Sequence, residues 1–305
     1  MNLTLRNLRL FIRLSRPLFI FGAALLFGLG AAIASYLGRT IDLGHYLLGQ
    51  ALITFIQLMT HYLNEYYDGD ADRDNPERTP FSGGSGVVGP DGLPRQTALY
   101  AAIVCIVIVS TLVSVSLVSG QFPLLAWLIL LLIFLGAFFY NAPPVRLVSS
   151  GYGELTTSVL VAALVPTFSF TLQTGELHRL LVMSTTPLVA LHLAMMIIFE
   201  LPDYASDVKH DKRTLMVRLG WATTMRLHDI AIIFAIVSFA IAFASGLPRR
   251  VGLGAIIALP LAIAQVWQLE RIRRGFPVRW RTLNFGAVGL FALTAYLILI
   301  GYLFS

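Results

Sequence analysis

The sequence predicts an all-α membrane protein with nine transmembrane helices in a single membrane-embedded domain, residues 1–305. Three observations support this prediction. Hydrophobic residues make up 57% of the chain and charged residues only 12%, whereas about a quarter of the residues in soluble domains are charged. Apolar runs of about 20 residues recur, each long enough to cross a hydrocarbon core of about 30 Å. The Lys and Arg residues are concentrated in alternate loops, as the positive-inside rule describes.

The apolar runs define the predicted helices in chain order. The first run follows a basic N-terminal segment. We interpret it as a retained helix rather than a cleaved signal peptide, because it is long and further apolar runs follow it. The predicted spans are 18–37, 43–62, 98–118, 123–140, 155–173, 182–200, 229–246, 251–268 and 283–303.

The loops between the runs orient the chain. With the N-terminus on the inner side, all of the 22 Lys and Arg residues lie on the inner face except Arg39, Arg179, Arg249 and Arg250. We therefore expect a multi-pass protein of the cell membrane whose N-terminus and active site are cytoplasmic. The net charge of +6 comes from juxtamembrane arginines, which suit anionic lipid, so no nucleic-acid partner is expected.

The first of two acidic strings, residues 64–72, follows the second span. Asn64, Asp68 and Asp72 recur every fourth residue, so on a helix they form one narrow stripe of oxygen atoms. Charged groups near a bilayer are costly and usually functional. Mg²⁺ takes few oxygen ligands from a protein and completes its shell with substrate phosphate. The stripe therefore predicts half of a site for magnesium and a diphosphate.

The second acidic string, residues 203–211, follows the sixth span on the same membrane face. Asp203, Asp207 and Asp211 repeat the spacing of the first string. Two facing stripes with cations between them would bind a diphosphate and neutralise it as it leaves. The alternative is that both strings are merely charged, solvated helix ends. The shared spacing and shared face favour the metal site.

Basic side chains flank both strings and are candidates to bind diphosphate oxygens that no metal holds. Arg73 and Arg78 follow the first string, and Lys212 and Arg213 follow the second. For Lys212 and Arg213 the alternative of ordinary juxtamembrane charge stays open. The longest inner loop carries the Gly-rich segment 81–86, which is either a flexible lid or a phosphate-binding nest.

A third inner segment follows the fourth span. Pro143 and Pro144 must end that helix near Asn141, which places Tyr140 at the membrane rim. The ring of Tyr140 is either a π face for a carbocation or an interfacial anchor. Glu154 opens the fifth span, where a carboxylate suits the helix dipole, and a catalytic role is an equal alternative.

These residues together resemble the UbiA superfamily of intramembrane aromatic prenyltransferases, over nearly the whole chain. The early Arg-Pro pair of that family corresponds to Arg16-Pro17. The family's three longer motifs correspond to Asn64-Glu65-x-x-Asp68-x-x-x-Asp72, to Tyr140-Asn141-Ala142-Pro143-Pro144, and to Asp203-x-x-x-Asp207 followed by Asp211-Lys212-Arg213-Thr214-Leu215. The chain departs from the family pattern at Glu65 (usually Asp), at Asn141 (usually a hydroxyl residue) and at Asp211 (usually Gly).

The resemblance implies a UbiA-like nine-helix bundle with a lipid-open central cavity, and magnesium as cofactor. The implied metal ligands are Asn64, Asp68, Asp72, Asp203 and Asp207. The implied catalytic residues are Asp68, Asp72, Asp203, Asp207 and Tyr140. The implied substrate-binding residues are Asn64, Arg73, Arg78, Lys212, Arg213 and Asn141.

The resemblance also implies the reaction, the transfer of a polyprenyl group from its diphosphate to an aromatic acceptor. The segment from Pro80 to Gly86 is most similar to the 1,4-dihydroxy-2-naphthoate branch, which serves menaquinone synthesis. Other branches take 4-hydroxybenzoate, homogentisate, chlorophyllide, haem or a glycerol phosphate ether. The alternative from another class is a cation transporter, which would need ionisable residues along a pathway through the spans. The spans are nearly free of such residues.

Overall fold

The structure, a computed structural model, describes residues 3–120 and 122–305. Its regular secondary structure is helical, apart from one isolated bridge between Val88 and Leu93. A 3₁₀ turn (Leu147–Ser149) precedes α6, and a π-helical turn (Leu160–Leu164) joins α6 to α7. The α-helices are α1 (Leu3–Leu14), α2 (Pro17–Tyr36), α3 (Leu43–Arg73), α4 (Arg95–Val118), α5 (Leu124–Asn141), α6 (Gly153–Val159), α7 (Val165–Thr174), α8 (Arg179–Glu200), α9 (Tyr204–Lys209), α10 (Leu215–Leu219), α11 (Trp221–Ala244), α12 (Arg249–Arg273) and α13 (Trp280–Leu303).

Each predicted span overlaps one of these helices or the continuous segment α6–α7, and the spans 18–37, 123–140 and 229–246 extend one or two residues beyond their helices. Eight helical segments among the described residues are long and apolar enough to cross a membrane. Helix α3, which contains the predicted span 43–62, is not among them because polar residues such as Gln50, Gln57 and His61 lower its mean hydropathy. The prediction of an all-helical membrane fold is confirmed. The ninth transmembrane helix and the lipid-open central cavity stay predictions.

Helix α1 is the element that the sequence analysis missed. Its apolar residues Leu5, Leu8 and Ile12 are exposed, while Leu14 at its end is fully buried. The turn to α2 is made by Arg16, whose φ of +48° is left-handed, and Pro17 then occupies the first position of α2, where its missing N–H costs nothing. This turn carries the guanidinium of Arg16 toward α3.

Small residues let the long helices approach one another closely. A Cβ on Gly30 of α2 would overlap the backbone of α7 at Pro166, and a Cβ on Gly301 of α13 would overlap the backbone of α12 at Val251. Such small-residue contacts are typical of helices packed in lipid, where dispersion rather than a hydrophobic driving force holds them together. The outward faces carry exposed Leu, Ile, Val and Phe side chains, which suits a hydrocarbon surround.

The inner loop between α3 and α4 is packed onto the helix bundle. The ring of Phe81 stacks on Phe199 at a centroid distance of 5.7 Å and meets Phe285 edge-on at 5.0 Å. The hydroxyl of Thr79 accepts a hydrogen bond of 2.8 Å from the amide of Asn284. These anchors fix the start of the loop beside the inner ends of α8 and α13, so its Gly-rich segment reaches the acidic strings.

The two acidic strings differ in structure. The first lies entirely within α3, as the spacing predicts. The second begins after α8 has ended at Glu200, with Asp203 just before the short helix α9 and Asp207 within it. Asp211 lies beyond α9 with a φ of +54° and is exposed. The prediction that Asp211 continues a helical stripe is therefore wrong, since α9 ends at Lys209.

Candidate active site

The two acidic strings meet at one end of the bundle. The ammonium nitrogen of Lys212 lies 3.1 Å from Asp68 Oδ2 and 3.8 Å from Asp207 Oδ1, so one cation joins the two strings. A hydrogen bond of 2.7 Å from the Ser206 hydroxyl to the carbonyl of Ala71 holds α9 against α3. Two stretches of chain more than 130 residues apart thus form one site.

Asp68 is the most heavily paired carboxylate of the site. Its side chain is only 3% exposed. Besides Lys212 it accepts hydrogen bonds from Arg146 Nη2 at 3.0 Å and from Asn64 Nδ2 at 3.2 Å. Arg146 is half exposed and also lies over the ring of Tyr67. The sequence analysis counted Arg146 only as inner-face charge, and its position just after the two prolines was the single signal of its role.

Asp203 is held by the loop between α3 and α4. Its two carboxylate oxygens accept hydrogen bonds from Asn75 Nδ2 at 2.7 Å and from the backbone N–H of Gly83 at 3.1 Å. Gly83 and Gly84 both have φ near +71°, which glycine adopts without strain. At least one backbone amide of the Gly-rich segment therefore binds an aspartate of the site itself.

Asp72 completes the group and has an unpaired oxygen. Its Oδ2 atom is buried without a hydrogen-bond partner among the described residues, and Gly84 lies directly against this carboxylate. Burial raises the pKa of Asp72 to about 7, although Lys212 and Arg16 oppose the shift. Burial, together with the charge of Asp207, also raises the pKa of Asp203 to about 7. Burial raises the pKa of Asp207 as well.

The four aspartates outnumber the basic side chains that form ion pairs with them. Lys212 and Arg146 are those basic side chains, and they pair only with Asp68 and Asp207. Among the described residues, no three Asp, Glu, His or Cys side chains lie close enough to hold a metal ion. The donor set nevertheless fits a hard cation, since it consists of carboxylate and amide oxygens and includes the unpartnered oxygen of Asp72. Asn64, Asp68, Asp72, Asp203 and Asp207 remain the candidate ligands.

A buried ion pair fastens the N-terminal turn and the Gly-rich loop to α3. Glu65 pairs with Arg16 and accepts hydrogen bonds from the backbone N–H of Ser85 at 2.6 Å and from the Ser85 hydroxyl at 2.8 Å. Arg16 also donates to Asn64 Oδ1 at 3.2 Å. Glu65, which departs from the family pattern, thus faces the loop rather than Lys212. Ser85 is a further residue that sequence analysis missed, because no local pattern predicts a contact across 20 positions.

Tyr140 and Asn141 end α5 beside the aspartates. Tyr140 is half-buried, and Asp68 and Lys212 are close enough to act on it electrostatically. Asn141 is fully buried, donates to the carbonyl of Thr60 at 2.9 Å and accepts from Asn64 Nδ2 at 3.3 Å. Its amide therefore positions Asn64, while its predicted contact with substrate stays a prediction.

Three predicted diphosphate-binding residues lie away from the aspartates. Arg73 is exposed and pairs with Asp70 at 3.0 Å. Arg78 is exposed, and its guanidinium lies against Gly86. Arg213 is exposed and forms no ion pair within residues 3–120 and 122–305. Their substrate-binding roles stay predictions.

Comparison with known proteins agrees with the architecture. The model of the UbiA prenyltransferase family matches residues 23–288. A 1,4-dihydroxy-2-naphthoate octaprenyltransferase of Bacillus subtilis (strain 168) is 24% identical over 218 residues, which are 70% of this chain and 65% of that protein. The match thus spans slightly less than two thirds of the relative's length.

Solved structures share the fold at low sequence identity. A structure of digeranylgeranylglyceryl phosphate synthase superposes with a TM-score of 0.66 at 12% identity and covers 98% of this chain and 99% of that one. A UbiA homolog from Archaeoglobus fulgidus, bound to GPP and Mg²⁺, superposes with a TM-score of 0.62 at 17% identity and covers 97% of this chain and 100% of that one. These likenesses show the fold.

Proposed function

This chain belongs to the UbiA prenyltransferase family, and we propose that it transfers a polyprenyl group from its diphosphate to a 1,4-dihydroxy-2-naphthoate-like acceptor, with Mg²⁺, in menaquinone or other quinone biosynthesis. One observation carries the proposal. The side chains of Asp68 and Asp207, from strings far apart in the sequence, both lie within 4 Å of the Lys212 ammonium. One diphosphate with its cations can therefore contact both strings.

The four aspartates and Asn64 would hold divalent cations, which would supply charge neutralisation for the leaving diphosphate. Lys212 and Arg146 pair with Asp68. Both basic side chains therefore lie where they can donate to phosphate oxygens. Stabilising the diphosphate as it gains charge lowers the barrier to breaking the C–O bond of the donor.

The allylic cation that forms must meet the acceptor before it meets water. The ring of Tyr140, beside Asp68 and Lys212, presents a π face to this cation. The isoprenoid tail lies among the apolar helices, and exclusion of water there protects the cation from hydrolysis. An electron-rich carbon of the acceptor ring then forms the new C–C bond.

The match to a 1,4-dihydroxy-2-naphthoate octaprenyltransferase of B. subtilis supports this choice of acceptor. We place the protein in the cell membrane with its aspartates on the cytoplasmic side, because the arginine-rich loops lie on that face. The transporter alternative gains no support, since the paired carboxylates cluster at one end of the bundle.

The decisive experiment incubates the purified protein, in lipid nanodiscs with Mg²⁺, with prenyl diphosphates of several lengths and a panel of acceptors. The panel contains 1,4-dihydroxy-2-naphthoate, 4-hydroxybenzoate, homogentisate and a glycerol phosphate ether. Mass spectrometry then identifies the lipid product. We expect a prenylated naphthoquinol product. A product from another acceptor would correct the branch, and no product from any acceptor would contradict prenyl transfer.

A further inference from the structure

Two buried carboxylates hold the start of α10, the short helix that follows Lys212. Glu154 Oε1 accepts a hydrogen bond from the backbone N–H of Leu215 at 3.3 Å, and Glu200 Oε2 accepts one from the backbone N–H of Met216 at 3.1 Å. The residues are 4% and 7% exposed respectively. Carboxylates at the N-terminus of a helix satisfy its free N–H groups, so both residues have an evident structural role.

The second oxygen distinguishes the two residues. Glu154 Oε2 is buried and has no hydrogen-bond partner among the described residues, whereas neither oxygen of Glu200 is in that state. An unpaired buried carboxylate oxygen is costly, and such an atom in a native fold usually awaits a ligand, an ion or water. Capping of α10 therefore accounts for only half of the Glu154 carboxylate.

The unpaired oxygen lies beside the proposed reaction site. The other oxygen of this carboxylate binds the backbone N–H of Leu215, three residues after Lys212, whose ammonium lies 3.1 Å from Asp68 Oδ2. Tyr140 lies at the end of α5 and Glu154 at the start of α6, and these two helices pack against each other. An acceptor bound beside Tyr140 would therefore lie near Glu154.

We propose that Glu154 Oε2 binds the hydroxyl group of the aromatic acceptor and takes up its proton. This inference rests on the proposed function and names the chemistry of the acceptor, a phenol whose O–H stands ortho or para to the carbon that is prenylated. A carboxylate accepts such a hydrogen bond, and withdrawing the proton makes the ring more electron-rich as the cation approaches.

The step balances as follows. The C–O bond of the donor breaks and its electron pair leaves with the diphosphate. The ring carbon forms a bond to the prenyl carbon, the O–H electron pair becomes part of a ring C=O, and the hydroxyl proton moves to Glu154. The prenylated carbon then loses CO₂, or loses H⁺ to the released diphosphate, and the ring becomes aromatic again with a negative charge on its oxygen. Glu154 returns its proton to the ring oxygen.

The test compares Glu154→Gln with Glu200→Gln in the full-length protein. Glutamine keeps a carbonyl oxygen that can cap Leu215 or Met216, so both variants retain the structural role, but glutamine cannot accept a proton. Two rates are measured, the formation of the C–C product by mass spectrometry and the scrambling of ¹⁸O from the C–O bridge of the prenyl diphosphate. Scrambling reports breaking of the donor bond without the acceptor step.

For Glu154→Gln we expect a fall of about 100-fold or more in product formation, as for loss of a general base, with ¹⁸O scrambling within about threefold of wild type. Glu200→Gln should stay within about threefold in both rates, and Glu154→Asp should recover part of the product. Wild-type product formation by Glu154→Gln, or equal losses in the two glutamine variants, would overturn the role of Glu154. Failure of the wild type to prenylate any phenol would overturn the proposed function instead.

Discussion

The two acidic strings share the same spacing in the sequence but are held in place differently. The string on α3 is continuous helix, and its Asp68 is paired with the charged side chains of Lys212 and Arg146. The string around α9 begins only after α8 has ended, and its Asp203 is held by amide groups of the α3–α4 loop. The comparison shows that one side of the site is positioned by a rigid helix and the other by tertiary hydrogen bonds.

The largest effect on activity is expected from removing one carboxylate charge from either acidic string. Asp68→Asn and Asp207→Asn should each lower Mg²⁺-dependent prenyl transfer by at least about 100-fold, because each loses a charge that binds cations at the leaving group. Product formation in nanodiscs measures this. Size-exclusion profiles verify folding.

Matched controls for these two variants come from the same strings. Asp70→Asn removes an exposed carboxylate that faces away from the stripe, and Asp211→Asn removes the exposed acid beyond α9. Both controls should stay near wild-type activity. If Asp70→Asn were as damaging as Asp68→Asn, general surface charge rather than the stripe would explain the result.

The next largest effect is expected at the residue that joins the two strings. Lys212→Gln should lower activity by about 10- to 100-fold, since an active-site charge–phosphate contact is lost. It should also lower the free energy of unfolding by roughly 1–3 kcal/mol, because Asp68 and Asp207 lose their shared cation. Arg213→Gln, at the neighbouring exposed position, should change neither quantity. If the two variants behaved equally in the activity assay and in thermal melts, Lys212 would not be the residue that joins the two strings.

A smaller effect is expected at Asp203, which the α3–α4 loop holds in place. Asn75→Ala removes the hydrogen bond to Asp203 Oδ1 and should lower kcat/KM by about tenfold, the equivalent of about 1.4 kcal/mol for a hydrogen bond to a charged group. Glu77→Gln, at an exposed position of the same loop, should have little effect. Unchanged kinetics for Asn75→Ala would mean that α9 positions Asp203 without help from the loop.

The smallest expected effect is the change in thermal stability with pH and with Mg²⁺. Because the pKa values of Asp72 and Asp203 are raised from 3.8 to about 7, the folded protein binds more protons than the unfolded chain between these values. The contribution of these groups to stability is therefore greatest below about pH 4 and is lost as the pH rises toward 7. Mg²⁺ binds the ionised form, so it should raise the melting temperature by a few degrees at pH 7.5 and by less at pH 5.5.

Melting curves recorded with Mg²⁺ and with EDTA at both pH values check this prediction. Asp72→Asn should reduce the difference between the two pH values, because it leaves Asp203 as the other carboxylate with a pKa of about 7. A Mg²⁺ effect that is equal at pH 5.5 and 7.5 would show that the buried carboxylates do not bind the cation.

Much of the site was predictable because local spacing fixes it. The i, i+4 spacing of Asn64, Asp68 and Asp72 predicted a helical stripe, and α3 forms one. The same rule failed at Asp211, because α9 ends at Lys209 and Asp211 has a left-handed φ of +54°. The partners of the aspartates were harder to predict. Asn75 and Arg146 reach them from other segments, and no periodicity reports such contacts.

By itself the sequence determined that the chain lies in a membrane and which type of site it carries. Its apolar runs and arginine-rich loops predicted a membrane-embedded helical chain, and its two carboxylate strings predicted a cation–diphosphate site, because length, hydropathy and helical period are local properties. Only the tertiary structure decided that Lys212 joins Asp68 to Asp207, that the Gly-rich loop binds Asp203, and that Glu154 keeps one buried oxygen unpaired. These features depend on which distant segments pack together, and that is settled by close helix packing and by the need to satisfy buried polar groups.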